Sequence, residues 1–116
     1  MDVVDGVFVS NVATDEWKPD PEVGGEMHVI VEVDGHYAGM SRFTAAGDPD
    51  VWTLPERETI LVLEGTVRIE IEDGPTLELK PGDLASIPKG AETTWHRTYP
   101  FRNLWFFGVA YEMAQE

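Results

Sequence analysis

Between residues 67 and 72 the apolar Val67, Ile69 and Ile71 alternate with Arg68, Glu70 and Glu72, the period of two that marks a strand with one buried and one wet face. After Glu72-Asp73-Gly74-Pro75, where Asp-Gly favours a tight turn, Leu77 and Leu79 resume the alternation, so the two segments predict a hairpin. The same device occurs upstream, where Met27–Val33 and His36–Thr44 flank the pair Asp34-Gly35, which suits a type I′ turn. Glu58–Glu64 contains the unbroken apolar run Ile60-Leu61-Val62-Leu63 and predicts a strand buried on both faces, with Gly65 permitting a sharp reversal after it. Lys80-Pro81-Gly82-Asp83 sets Pro and Gly at the central positions of a type II turn, ahead of a short strand over Leu84–Ile87 that Pro88-Lys89-Gly90 closes. Glu92–Arg97 and Asn103–Tyr111 are aromatic and β-branched enough to be strands, interrupted at Tyr99-Pro100.

No segment carries a long amphipathic helical pattern, and only Tyr111–Glu116 has room for a helical turn or two. Nine or ten short strands with regular turn signals predict an all-β sandwich or barrel. The 116 residues make one domain, because a second core would leave each half too small to bury enough surface. Surface excursions are expected at Thr14–Gly25 and at Gly47-Asp48-Pro49-Asp50, where Pro, Gly and Asp collect.

Composition narrows the chemistry. With 42% hydrophobic and 26% charged residues the chain has the balance of a folded globular protein. Against 22 Asp and Glu stand 8 Lys and Arg, a formal charge of −14, which repels nucleic acid and anionic membrane alike. The absence of cysteine excludes a disulfide framework, a thiolate zinc site and a cysteine nucleophile. Met1-Asp2-Val3-Val4-Asp5 lacks the basic and apolar parts of a signal peptide and no run approaches a membrane span, so a cytoplasmic location is expected. There is no Gly-rich phosphate loop, no Gly-x-Ser-x-Gly elbow, and no Ser/His/Asp set that can be placed on neighbouring strands.

Two spacings carry a family resemblance. Glu58 and Gly65 are separated by six residues, and Gly82, Pro88 and Gly90 follow the order Gly, five residues, Pro, one residue, Gly. Together they resemble the two motifs of the cupin superfamily, over about residues 37–107. The resemblance implies one cupin domain over residues 1–116 with the fold of a double-stranded β-helix, a jelly-roll barrel. Thr93-Thr94-Trp95, with Arg102 ahead of an aromatic strand, is similar to the small single-domain group that includes ureidoglycine aminohydrolase-like and ethanolamine-utilisation-like cupins. A shared fold implies less about the reaction than about the architecture.

Metal-binding cupins take two His and a Glu from the first motif and a His from the second. The resemblance places those ligands at Trp52 and Leu54 (or Val51 and Thr53), at Glu58 and at Thr93. Only Glu58 is an ionisable donor, and one carboxylate does not hold a transition metal tightly, so neither metal nor other cofactor is expected. Strand parity adds that if Thr93 faces the interior then so does Trp95, while Trp52 or Leu54 enters from the opposite strand. These residues either pack the barrel or line a ligand pocket, and an indole N–H among them needs an acceptor such as Glu58 or Thr93.

Glu58 is the candidate acid, base or hydrogen-bond acceptor, since desolvation beside Trp95 would raise its pKa toward neutrality. The alternative is a salt bridge to Arg42, Arg57 or Arg97. Arg42, mid-strand, is a clamp for a carboxylate or phosphate if it points inward and a surface cation if it points outward. A relocated metal site using His28 or His36 is a further alternative, although the hairpin separates the two by several rungs and His96 has the opposite parity to Thr93 and Trp95. In the aromatic stretch Trp95, Tyr99, Phe101, Trp105, Phe106 and Phe107, the last strand is apolar on both sides, and its second face predicts a homodimer. The expected function is binding of a small polar organic molecule, without a metal, in a pocket drawn from Arg42, Trp52, Leu54, Thr93, Trp95 and Trp105 around Glu58. The alternative is a metal-independent hydrolase, lyase or isomerase with Glu58 as general acid/base.

Overall fold

Twelve strands form among the described residues, 2–44 and 50–108 of the computed structural model: β1 (Asp2–Val4), β2 (Val7–Phe8), β3 (Lys18–Pro19), β4 (Glu26–Val33), β5 (His36–Phe43), β6 (Asp50–Thr53), β7 (Glu58–Glu64), β8 (Val67–Ile71), β9 (Thr76–Leu79), β10 (Leu84–Ile87), β11 (Glu92–Arg97) and β12 (Phe101–Gly108). The terminal helical turns expected at Tyr111–Glu116, the end of the strand expected to reach Tyr111, and residues 47–49 of the second excursion lie outside the described residues. A six-stranded sheet in the order β10-β7-β12-β5-β4-β3 faces a four-stranded sheet in the order β6-β11-β8-β9, and β1 pairs with β2. This is the all-β jelly roll implied by the sequence.

The turns carry the strand order. Asp34 and Gly35 both take left-handed backbone (φ 55° and 79°), as a type I′ turn requires, and set Val33 opposite His36. Gly82 takes φ 93° in the turn before β10, whose Asp83 N–H donates to Lys80 O at 2.9 Å. Each strand then buries alternate residues. Glu58, Ile60 and Val62 of β7 point into the barrel, and Thr59, Leu61 and Leu63 stay half-buried on its outer side, which is why this strand reads as continuously apolar. Phe43, Ile60, Val62, Phe101 and Trp105 of the larger sheet meet Val67, Ile69 and Trp95 of the smaller one, forming the core.

One half of the larger sheet's outer face is covered by the chain itself. His28 is buried opposite Met40, with Nε2 2.6 Å from Ser10 Oγ and Nδ1 2.8 Å from Glu16 O. The Arg42 guanidinium lies 4.4 Å from the centre of the Trp17 ring, and Arg102 Nη1 donates to Val12 O. Residues 10–17 therefore form a strap over β4, β5 and β12. Leu84 (69% exposed) and Phe106 (46% exposed) remain open farther along the same face. Removing the imidazole leaves Ser10 and a carbonyl without partners under the strap. His28→Ala is accordingly expected to lower stability by about 2 kcal/mol. Amide hydrogen exchange should then speed up in residues 10–17 while β7 and β12 stay protected; unchanged protection of the strap would contradict this assignment. Among the described residues no helix is long and apolar enough to cross a membrane.

Candidate functional site

Inward parity on five strands brings one group of side chains together. Glu58 opens β7, Ser41 belongs to β5, Asn103 and Trp105 to β12, Trp95 and Arg97 to β11, and Asp50 and Trp52 to β6. All eight line one small cavity of about 40 Å³ inside the barrel. A second space of about 70 Å³ shares Ser41, Trp52, Glu58 and Trp105 with it and reaches Tyr37, Asp20 and Glu22 toward the mouth. Trp105 lies flat here because its neighbour across the sheet is glycine: a Cβ on Gly39 would stand 2.8 Å from the Trp105 ring and 2.4 Å from His28 O.

The scaffolding hydrogen bonds are internal. Trp95 Nε1 donates to Thr93 Oγ1 at 2.8 Å, Thr93 Oγ1 donates to Trp52 O at 2.6 Å, and Trp105 Nε1 donates to Ser41 Oγ at 2.8 Å. Two of the indoles are thus held by hydroxyls of the barrel wall, which fixes their planes around the cavity.

Glu58 is treated differently. It is buried at 6% exposure, and among the described residues its Oε1 has no hydrogen-bond partner. Burial pushes its carboxyl up to about 7, against a smaller downward pull from the hydrogen bond of the Trp52 side chain and from the charge of Arg97. No ion pair closes on it among the described residues: Arg42 pairs with Glu26 at 2.7 Å, Arg57 donates to Ser86 Oγ, and Arg97 pairs with Asp50 at 2.5 Å. The Arg97 side chain is only 7% exposed, with its guanidinium 3.9 Å from the Phe43 ring centre and 5.3 Å from that of Trp95. Its Nε is also buried without a partner among the described residues.

Of the residues expected at the site, Glu58, Trp52, Trp95 and Trp105 line the cavity together. Arg42 does not: it points outward, between Glu26 and Trp17, because its strand neighbours Ser41 and Phe43 take the inward positions. Leu54 is sealed in the core at 1% exposure, and Thr93 is buried behind Trp95 with its hydroxyl already engaged in two hydrogen bonds. Asn103, Ser41 and Asp50 are cavity residues that the sequence does not mark, while Arg97, expected there only as a salt-bridge partner of Glu58, lines the cavity paired with Asp50 instead. Parity was the available signal for Arg97 and Asn103, each two residues from an inward Trp.

The donor set does not fit the metal of metal-binding cupins. At the implied ligand positions the structure has the Trp52 indole, the Leu54 side chain and a Thr93 hydroxyl already committed to hydrogen bonding. Among the described residues no three His, Asp or Glu side chains converge. His28 lies under the strap, His96 sits 2.9 Å from Glu70 on the outside of the smaller sheet, and His36 is exposed at its turn.

The family of EutQ-like cupin domains matches residues 44–103. Among solved structures the chain is similar to a Salmonella typhimurium LT2 protein bearing the name ethanolamine utilization protein Q, with 26% identity, a TM-score of 0.72, and coverage of 90% of this chain and 87% of that one. It is also similar to the Clostridium difficile EutQ protein (23% identity, TM-score 0.63, 77% of this chain and 65% of that one). KdgF from Halomonas sp. matches at 17% identity with a TM-score of 0.62, over 82% of this chain and 89% of that one. These last two likenesses concern the fold alone. No curated protein sequence matches the chain significantly.

Proposed function

The chain belongs to the family of EutQ-like cupin domains, and from that premise we propose that its barrel cavity binds a small polar organic molecule without the metal that many cupins hold. The observation that carries this reading is Glu58 Oε1, a buried oxygen with no hydrogen-bond partner among the described residues, in a cavity walled by three indoles. Leaving such an atom desolvated costs about 1–3 kcal/mol, a penalty that a folded chain retains where a ligand supplies the missing bond.

The test has two arms. Elemental analysis of protein purified without chelator should find no stoichiometric transition metal; a metal that is present and lost in Glu58→Gln defeats the reading. A thermal-shift panel of small amides, carboxylates and amines, ethanolamine included because the Salmonella relative carries its name, should contain a compound that raises the melting temperature. Its affinity should fall at least about tenfold in Glu58→Ala.

A second reading is favoured by one specific observation, the burial of Glu58, which pushes its carboxyl up to about 7. That value suits proton transfer near neutral pH, the requirement for a metal-independent hydrolase, lyase or isomerase with Glu58 as general acid/base. A bound compound that is chemically consumed supports the enzyme, and one recovered intact supports the receptor.

A further inference from the structure

Three buried side-chain atoms lack hydrogen-bond partners among the described residues: Glu58 Oε1, Arg97 Nε and Arg102 Nε. Arg102 belongs to the outer face, where its Nε lies 3.8 Å from Glu64 Oε1. The other two belong to residues lining the same cavity, one a carboxylate oxygen and the other an obligate donor. Resting on the reading of that cavity as a ligand site, we propose that its occupant presents a primary carboxamide group, with the carbonyl oxygen accepting from Arg97 Nε and the amide N–H donating to Glu58 Oε1.

The charged alternatives each leave something unsatisfied. An ammonium ion donates to Glu58 but offers Arg97 nothing and places a second cation beside the guanidinium. A carboxylate accepts from Arg97 but meets Glu58 favourably only when that group carries a proton, and it adds an anion near Asp50 in a chain of net charge −14. The carboxamide satisfies both atoms and brings no charge into the buried space. Its flat face matches a cavity walled by Trp52, Trp95 and Trp105. At roughly 10–15 Å³ per water, volumes of about 40 and 70 Å³ hold about three and about five waters respectively, so the occupant has only a few heavy atoms.

The experiment uses acetamide, acetate and ethylammonium as size-matched probes on the full chain, followed by ligand-observed NMR at pH 5.5 and pH 8. The groups facing Glu58 are Arg97 on β11, Asp50 on β6, Tyr37 on β5, and Asp20 and Glu22 from the segment before β4. Acetamide should bind most tightly at pH 8 and weaken by roughly three- to tenfold at pH 5.5, where protonated Glu58 is the poorer acceptor, with the pH dependence absent in Glu58→Gln. Arg97→Lys, which keeps the charge but moves the donor, should weaken acetamide about tenfold with little change in ethylammonium. Tighter binding of acetate, strengthening toward pH 5.5, or tighter binding of ethylammonium overturns the carboxamide assignment while leaving the cavity a ligand site. If none of the three probes responds to Glu58→Gln, the assignment fails, and failure of the wider compound panel is what would remove the cavity reading itself. The wild-type pH series decides the matter even if the Arg97 variant does not fold.

Discussion

Glu58→Gln should be more stable than the parent chain by about 3 kcal/mol at pH 8 and equal to it near pH 4. The folded chain holds the Glu58 proton up to a pH of about 7, whereas the unfolded chain releases it around 4.5. Below 4.5 both states are protonated and the group contributes nothing to the pH dependence. Between 4.5 and 7 the unfolded state gains by ionising and the folded state does not, so stability falls as pH rises, and the loss is complete above 7. Glutamine has nearly the same shape, keeps an acceptor for the Trp52 indole and never ionises, so it escapes the whole decline. Urea denaturation of the two chains at both pH values gives the difference directly. Equal stability at pH 8 would mean that water or a shifted side chain already solvates the carboxylate. A stabilising substitution at the proposed binding group is also what a site held under strain for function leads one to expect.

Asp50→Ala is the second large effect. It strands the Arg97 guanidinium in a cage of Phe43, Trp95 and Phe101 without the carboxylate it pairs with. Breaking a buried pair from one side costs about 3–5 kcal/mol. Because the Asp50 side chain is 24% exposed, the lower end of that range is expected. The double variant Asp50→Ala with Arg97→Met should recover most of the loss, since it removes the stranded charge while keeping an unbranched side chain against the aromatic rings. A double variant no better than the single one would show that the pair itself, rather than the unpaired cation, carries the energy.

The parts of the fold that could be read in advance are those written locally. Alternation in Val67–Ile71, the Asp34-Gly35 turn and Pro81-Gly82 each specify their geometry within a few residues, and the corresponding strands form where expected. β3 could not be read that way, because two residues at a sheet edge leave no period to detect. The strap was hidden for a different reason. Ser10 and Glu16 meet His28 across 18 and 12 residues of chain, and nothing near His28 in sequence marks that contact.

The site divides along the same line. Glu58 follows from a motif spacing, and the tryptophans from parity relative to it. Arg97 shares the parity of Trp95, yet a charged side chain near a strand end reads as a surface residue until Asp50, 47 residues away, is seen to neutralise it. Arg42, open in the sequence to either face, takes the outer one. Mid-strand position does not decide which face a residue takes, and the packing of Ser41 and Phe43 does.

Three of the four tryptophans, Trp52, Trp95 and Trp105, ring the cavity, while the fourth, Trp17, lies outside under Arg42. The intrinsic ultraviolet emission of the chain is therefore dominated by the cavity walls. An occupant touching the indole faces should change its intensity or wavelength without any label, and Trp17→Phe would leave a chain whose tryptophan emission comes from the cavity alone.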